Sequence, residues 1–164
     1  MFSTILTLAD LADIIIHNLT GTLLPPVVVV PFVTSLILAM SIPFTKRQWI
    51  IGLVASLIVI ISIGASMPGP FIFPIYGFIF QIRRVKLAGA ISSVMHIMYG
   101  VLLAPLVFVV SPAKIVYSWL LVYVGSFIPA FVILTLTYGL GAAMAAESGY
   151  RIGVRISKRR SEPP

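Results

Sequence analysis

The sequence predicts an all-α fold, a polytopic membrane helix bundle of five transmembrane helices plus an N-terminal amphipathic helix. A sixth span is the alternative reading of that amphipathic segment. Two observations lead there. Of the 164 residues, 60% are hydrophobic and 9% are charged, with a mean hydropathy of +1.14, whereas a soluble domain carries about 25% charged residues. Folding the apolar runs back and forth also puts ten of the eleven Lys and Arg residues on one side. That asymmetry predicts a multi-pass protein whose basic loops and C-terminus are cytoplasmic.

Three regions follow: residues 1–22, the N-terminal helix; 23–148, the bundle, with spans at 23–44, 50–66, 70–84, 87–110 and 115–146; and 149–164, a basic tail. In the first span Pro25 and Pro26 lie near the start, where a missing N–H does least harm. Lys46 and Arg47 end it, and Trp49 is suited to the interface. The second span is an almost unbroken run of Leu, Val and Ile. Met67-Pro68-Gly69-Pro70 then forms a turn, since two prolines around a glycine cannot continue a helix.

The third span is short. Its apolar stretch, Phe71 to Ile82, would rise about 18 Å as a helix, so the following Arg83, Arg84 and Lys86 must reach toward the headgroups. A re-entrant segment is the alternative, but it would place these cations opposite Lys46 and Arg47. The fourth span contains His96 near its middle and Pro105 as a kink. Ser111-Pro112-Ala113-Lys114 turns the chain, and Lys114 is the one cation on the far side. The fifth span opens on Tyr117, Trp119 and Tyr123 and is expected to close at Glu147, Ser148 and Gly149.

In residues 1–22, Ser3, Thr7, Asp10, Asp13 and His17 share one face at helical spacing. Each Asp at the centre of a bilayer costs about 2.5–3.5 kcal/mol on insertion scales. That cost favours a helix lying along the outer surface over a sixth span. Asn18-Leu19-Thr20 fits a glycosylation acceptor.

Few residues offer chemistry. Asp10, Asp13 and His17 fall on one helical ridge and could hold a cation or relay protons, although a solvated face explains them as well. His96 requires a partner at membrane depth. A cross-helix bond to Ser, Thr or a backbone carbonyl would serve, as would a proton or solute pathway. Gly139, Ala142, Ala143 and Ala146 form a small-residue stripe that lets another helix approach closely, in this chain, a second copy or another subunit. Arg151, Arg155, Lys158 and Arg159 share a face suited to anionic lipid. The stretch around Pro74 could expose backbone carbonyls to a path, or simply kink a packing helix.

Cysteine is absent, which excludes disulfides and thiolate metal sites. No basic region precedes the first apolar stretch, so a cleaved signal peptide is not expected. Confinement of the basic residues to loops and tail argues against nucleic acid. No catalytic grouping and no phosphate loop is recognisable, so no enzymatic activity, metal or cofactor is expected. The expected function is therefore that of an accessory or assembly subunit acting through helix packing, its partners being the bilayer and other membrane subunits or a homo-oligomer. A small transporter or ion-conducting protein using Asp10, Asp13, His17 and His96 is the alternative. A haem-binding redox subunit, ligated by His17 and His96, comes a distant third.

Overall fold

A computed structural model of the chain describes residues 1–8, 11–12, 24–63, 69–82, 84–99, 101, 118 and 120–161, and all regular structure among them is helical. The elements are α1 (residues 2–8), α2 (Leu24–Ser41), α3 (Gln48–Ile63), a 3-10 turn (Gly69–Ile72), α4 (Phe73–Phe80), α5 (Val85–Met98) and α6 (Phe127–Ser161).

Helix α6 organises the molecule, with α2 and α5 packed along it. Against α2 it runs parallel: Gly149 meets the Leu36 carbonyl and Gly153 the Met40 carbonyl, each too closely to admit a Cβ. Against α5 it runs antiparallel. Gly89 sits on the backbone of Ala142, while Ile97, two turns further on, clusters with Ala130, Leu134 and Tyr138. Helices α3 and α4 make a second, antiparallel pair, in which Gly52 admits the Phe73 carbonyl and Gly77 the backbone of Trp49. The two groups share a core that includes Leu38, Phe73, Tyr76, Phe80, Ala88 and Ala146.

Where helix backbones meet, small residues face inward, while many large apolar side chains face outward. Ile61 (83% exposed), Met144 (72%) and Leu140 (67%) point away from the molecule. Within the apolar stretch of α6 only 28% of residues are buried. A core helix of a water-soluble protein would show the opposite pattern.

Among the described residues, one helix is long and apolar enough to cross a membrane, Phe127–Arg159 within α6. Five spans are not what the helix lengths show. The expected third span, 70–84, divides into the 3-10 turn and the eight-residue α4, which rises only about 12 Å. Its prolines explain the division: Pro74 lacks a backbone N–H and sits in the first turn of α4, so a new helix begins there. Apolar helices Gln48–Ser62 and Val85–Met98 are also shorter than a span.

The expected fifth span, 115–146, has different limits at both ends. Residues 120–124 are helical, but Gly125 takes φ +70° and its N–H donates to the Leu121 carbonyl at 2.8 Å. This left-handed glycine closes the turn. Helix α6 then starts afresh and continues through Glu147, Ser148 and Gly149 to Ser161. Gly149 is a packing residue rather than a helix stop, and the expected separate tail belongs largely to α6.

The N-terminal segment is a further difference. Leu6 is buried to 1% exposure, Phe2 packs against the core, and the Phe2 ring lies 5.4 Å from that of Phe44. Helix α1 is therefore docked on the bundle beside the α2–α3 turn, at the end that carries Lys46 and Arg47, and does not lie apart on the opposite surface.

Candidate functional site

Two regions concentrate polar chemistry, one inside the bundle and one at its basic end. Inside, His96 occupies the last turn of α5 and Tyr76 the middle of α4. The Nδ1 of His96 lies 2.6 Å from the Tyr76 hydroxyl, and the two rings are 6.1 Å apart at 45°. Tyr76 is 1% exposed, so this bond satisfies a phenol that has no water to turn to. The partner expected for His96 was Ser, Thr or a carbonyl. Nothing in the sequence links it to a tyrosine twenty residues away on another helix.

Beside this pair lies a seam of hydroxyls. The hydroxyls of Ser92 and Ser93 on α5, and of Thr135 and Tyr138 on α6, are buried with no hydrogen-bond partner among the described residues. Other hydroxyls in the chain fold back on their own helices: Thr7 donates to the Ser3 carbonyl at 2.9 Å and Ser62 to the Ile58 carbonyl at 2.8 Å. The seam departs from that habit, and an unsatisfied buried hydroxyl costs about 1–3 kcal/mol. Ser93 lies one turn from Ile97, which packs against Tyr138, so hydroxyls from both helices face the same interface.

At the basic end, the α2–α3 turn is fixed by its own hydrogen bonds. The Arg47 N–H donates to Thr45 Oγ1 at 3.1 Å, and Gln48 Nε2 donates to the Thr45 carbonyl at 2.7 Å. Lys46 and Thr45 share a cleft of about 480 Å³ with Tyr150 and Val154 of α6. Arg47 lines a neighbouring recess of about 290 Å³ with Met1 and Phe2. Trp49 stacks on Phe78 at 5.6 Å, which brings the end of α4, and hence Arg84 and Lys86, to this same end. Arg151, Arg155, Lys158 and Arg159 are exposed on the final turns of α6. Arg151 Nε is 2.8 Å from Glu147 Oε1, an exposed pair one helical turn apart.

No protein-family model, no curated protein and no solved structure matches this chain. Its chemistry is therefore read from its own residues.

The sequence-derived sites are distributed as follows. Asp10, Asp13 and His17 lie outside the described residues, as do Lys114 and the acceptor Asn18. The described residues contain no group of three or more His, Cys, Asp or Glu able to hold a metal ion. Of the small-residue stripe, Ala142 and Ala146 are fully buried and face Gly89 of α5. Ala143 is half-buried, and a Cβ at Gly139 would meet nothing within 4 Å. The approach to α2 uses other positions, Gly141 against the Phe32 ring and Gly149 and Gly153 against the Leu36 and Met40 carbonyls; with Ala145 they are spaced by four in the sequence. That spacing was visible in the sequence; reading Ser148-Gly149 as a helix end cut the series in two. Around Pro74, the Phe73 carbonyl lies against Gly52, so this part of the backbone is covered by α3.

Proposed function

We propose that this chain is a multi-pass integral membrane protein, with its basic end and C-terminus cytoplasmic, that acts through helix packing as an accessory or assembly subunit. One observation carries the reading: small residues of α6 make backbone contact with α2 and α5 while its large apolar side chains face outward. Lipid gives apolar helices no reason to associate, so close backbone approach at Gly and Ala replaces the hydrophobic drive. The shorter helices fit if their flanking cations reach up to the headgroups and the local bilayer thins. The outward Leu140, Met144, Ile133 and Leu136 then face acyl chains or the helix of another subunit.

Alkaline extraction tests the membrane reading, and mild-detergent copurification tests the assembly role. The chain is expected to stay in the pellet at high pH and to leave it only with detergent. It is expected to copurify with a stoichiometric membrane partner or a second copy. Recovery as a detergent-free soluble monomer would overturn both readings.

A second reading, a small transporter or ion-conducting protein, draws support from the hydroxyl seam and the Tyr76–His96 bond. Intramembrane polar groups commonly line a pathway. In proteoliposomes that show flux, His96→Ala and Ser93→Ala would then reduce it, and unchanged flux in both would remove the named residues from any such path.

A further inference from the structure

The cleft at the basic end has the makings of a binding site that helix packing does not use. We propose that the cleft between the α2–α3 turn and α6 binds the phosphate headgroup of an anionic phospholipid. Lys46 supplies the charge, and Tyr150 and Thr45 supply hydroxyl groups. The proposal rests on the membrane reading above and goes beyond the general attraction of the exposed α6 cations for lipid.

Three observations carry it. The first is an imbalance of charge. Glu147 is the one carboxylate side chain among the described residues, and Arg151 already holds it. Lys46 and Arg47 have no ion pair among the described residues, and with 11 Lys and Arg against 4 Asp and Glu the chain has more cations than it can pair. A phosphate group offers a counter-charge in the form that Lys and hydroxyl donors bind well.

The second is the state of the α2 C-terminus. Lysines near helix ends often serve only to cover the last carbonyls. Here the chain covers several of them itself. The Ser41 hydroxyl donates to the Leu38 carbonyl at 2.6 Å. The Ile42 N–H donates to Ala39, and the N–H groups of Phe44 and Thr45 both donate to Ser41. The Lys46 ammonium is left available for another acceptor.

The third is the composition of the cleft. Its volume of about 480 Å³ falls within the 300–1,000 Å³ typical of small-molecule sites. Thr45, Lys46 and Tyr150 contribute polar groups, while Ile42, Phe44 and Val154 contribute apolar walls. That combination suits an amphiphile, with phosphate at the cation and glycerol and acyl carbons against the walls. A free inorganic phosphate would have no use for the walls.

The test uses the full-length chain in neutral detergent, titrated with short-chain phosphatidylglycerol, short-chain phosphatidylcholine or inorganic phosphate. Binding is read by native mass spectrometry. Phosphatidylglycerol is expected to saturate one site and to bind about 10-fold more tightly than phosphatidylcholine, whose choline cation offsets its phosphate and repels Lys46. Lys46→Gln should remove about 10-fold of that affinity, and Tyr150→Phe about 3-fold. Arg159→Gln, beyond the cleft, should change it less than about 2-fold.

Equal losses in Lys46→Gln and Arg159→Gln would reduce the effect to diffuse charge and overturn the site. Equal binding of the two lipids would do the same. Inorganic phosphate binding as tightly as phosphatidylglycerol would overturn the lipid assignment. Failure of the membrane reading shows separately, as release of the chain by alkaline extraction, whatever the titration returns.

Discussion

The imidazole Nδ1 of His96 meets the hydroxyl of Tyr76 at 2.6 Å, joining α5 to α4 through their side chains in the interior. The bond constrains the histidine. With Nδ1 engaged, only Nε2 remains for a proton, a solute or a metal. Tyr76→Phe removes the hydroxyl and leaves Nδ1 without its partner, so it should cost about 1 kcal/mol. For a chain of this length that corresponds to a fall in Tm of about 2–4 °C in detergent. A double-mutant cycle with His96→Ala should return a coupling of about 0.6 kcal/mol, the average for bonds between membrane helices. Strictly additive losses would mean that the two rings share no energy.

The glycines of α6 offer an internal contrast. A Cβ at Gly149 would run into the Leu36 carbonyl, whereas one at Gly139 would meet nothing within 4 Å. Gly149→Ala should therefore force α2 and α6 apart and destabilise the protein by about 1–3 kcal/mol, as overpacking does. Gly139→Ala should be neutral or stabilising by up to about 1 kcal/mol, because alanine lowers the entropy lost on forming the helix. Thermal unfolding of both variants in one detergent checks the prediction, and a reversed order would refute the parallel packing of α2 on α6.

Gly125 is held by its backbone conformation, not by its surroundings. Its φ is +70°, and a Cβ there would have open space. The cost of Gly125→Ala is then conformational, about 1–2 kcal/mol for an L-residue in the left-handed region. Asparagine tolerates that region better, so Gly125→Asn should recover part of the loss. Equal stability of all three proteins would show that the helix at 120–124 does not close on this residue.

What could be read in the sequence, and what could not, divides along a physical line. The α2–α3 turn was legible because charge acts locally, with Lys46 and Arg47 marking it; of the turn expected at Met67 to Pro70, Gly69 and Pro70 open the 3-10 turn and the rest lies outside the described residues. The helical class was legible because long apolar runs broken by proline, glycine and charge read as helices. The end of α6 was not, since Ser148-Gly149 reads as a stop in isolation, and only the approach of Leu36 shows that Gly149 is a contact. The short α4 was half-legible, because Phe71 to Ile82 was too brief to span, yet charge balance favoured a crossing. The partner of His96 and the docking of Phe2 are tertiary facts joining positions 20 and 42 residues apart, and no local pattern encodes them.

The last prediction concerns sidedness. Phe2 packs on Phe44, and Met1 shares a recess with Arg47 and Ile50, so the start of α1 sits with the cations of the α2–α3 turn. Gly153 on Met40 brings the C-terminal turns of α6 to the same place. If the bundle is membrane-embedded, Met1 and Arg155 then belong to one compartment and the crossings between them are even in number. The surface-helix reading of residues 1–22 requires them to be opposite. The chain contains no cysteine, so single substitutions give a clean background for labelling with an impermeant maleimide. Ser3→Cys, Lys46→Cys and Arg155→Cys should all react in inside-out vesicles and be protected in right-side-out ones. A Ser3→Cys thiol that reacts from the face opposite Arg155→Cys would detach α1 from the bundle end where its aromatic ring now rests.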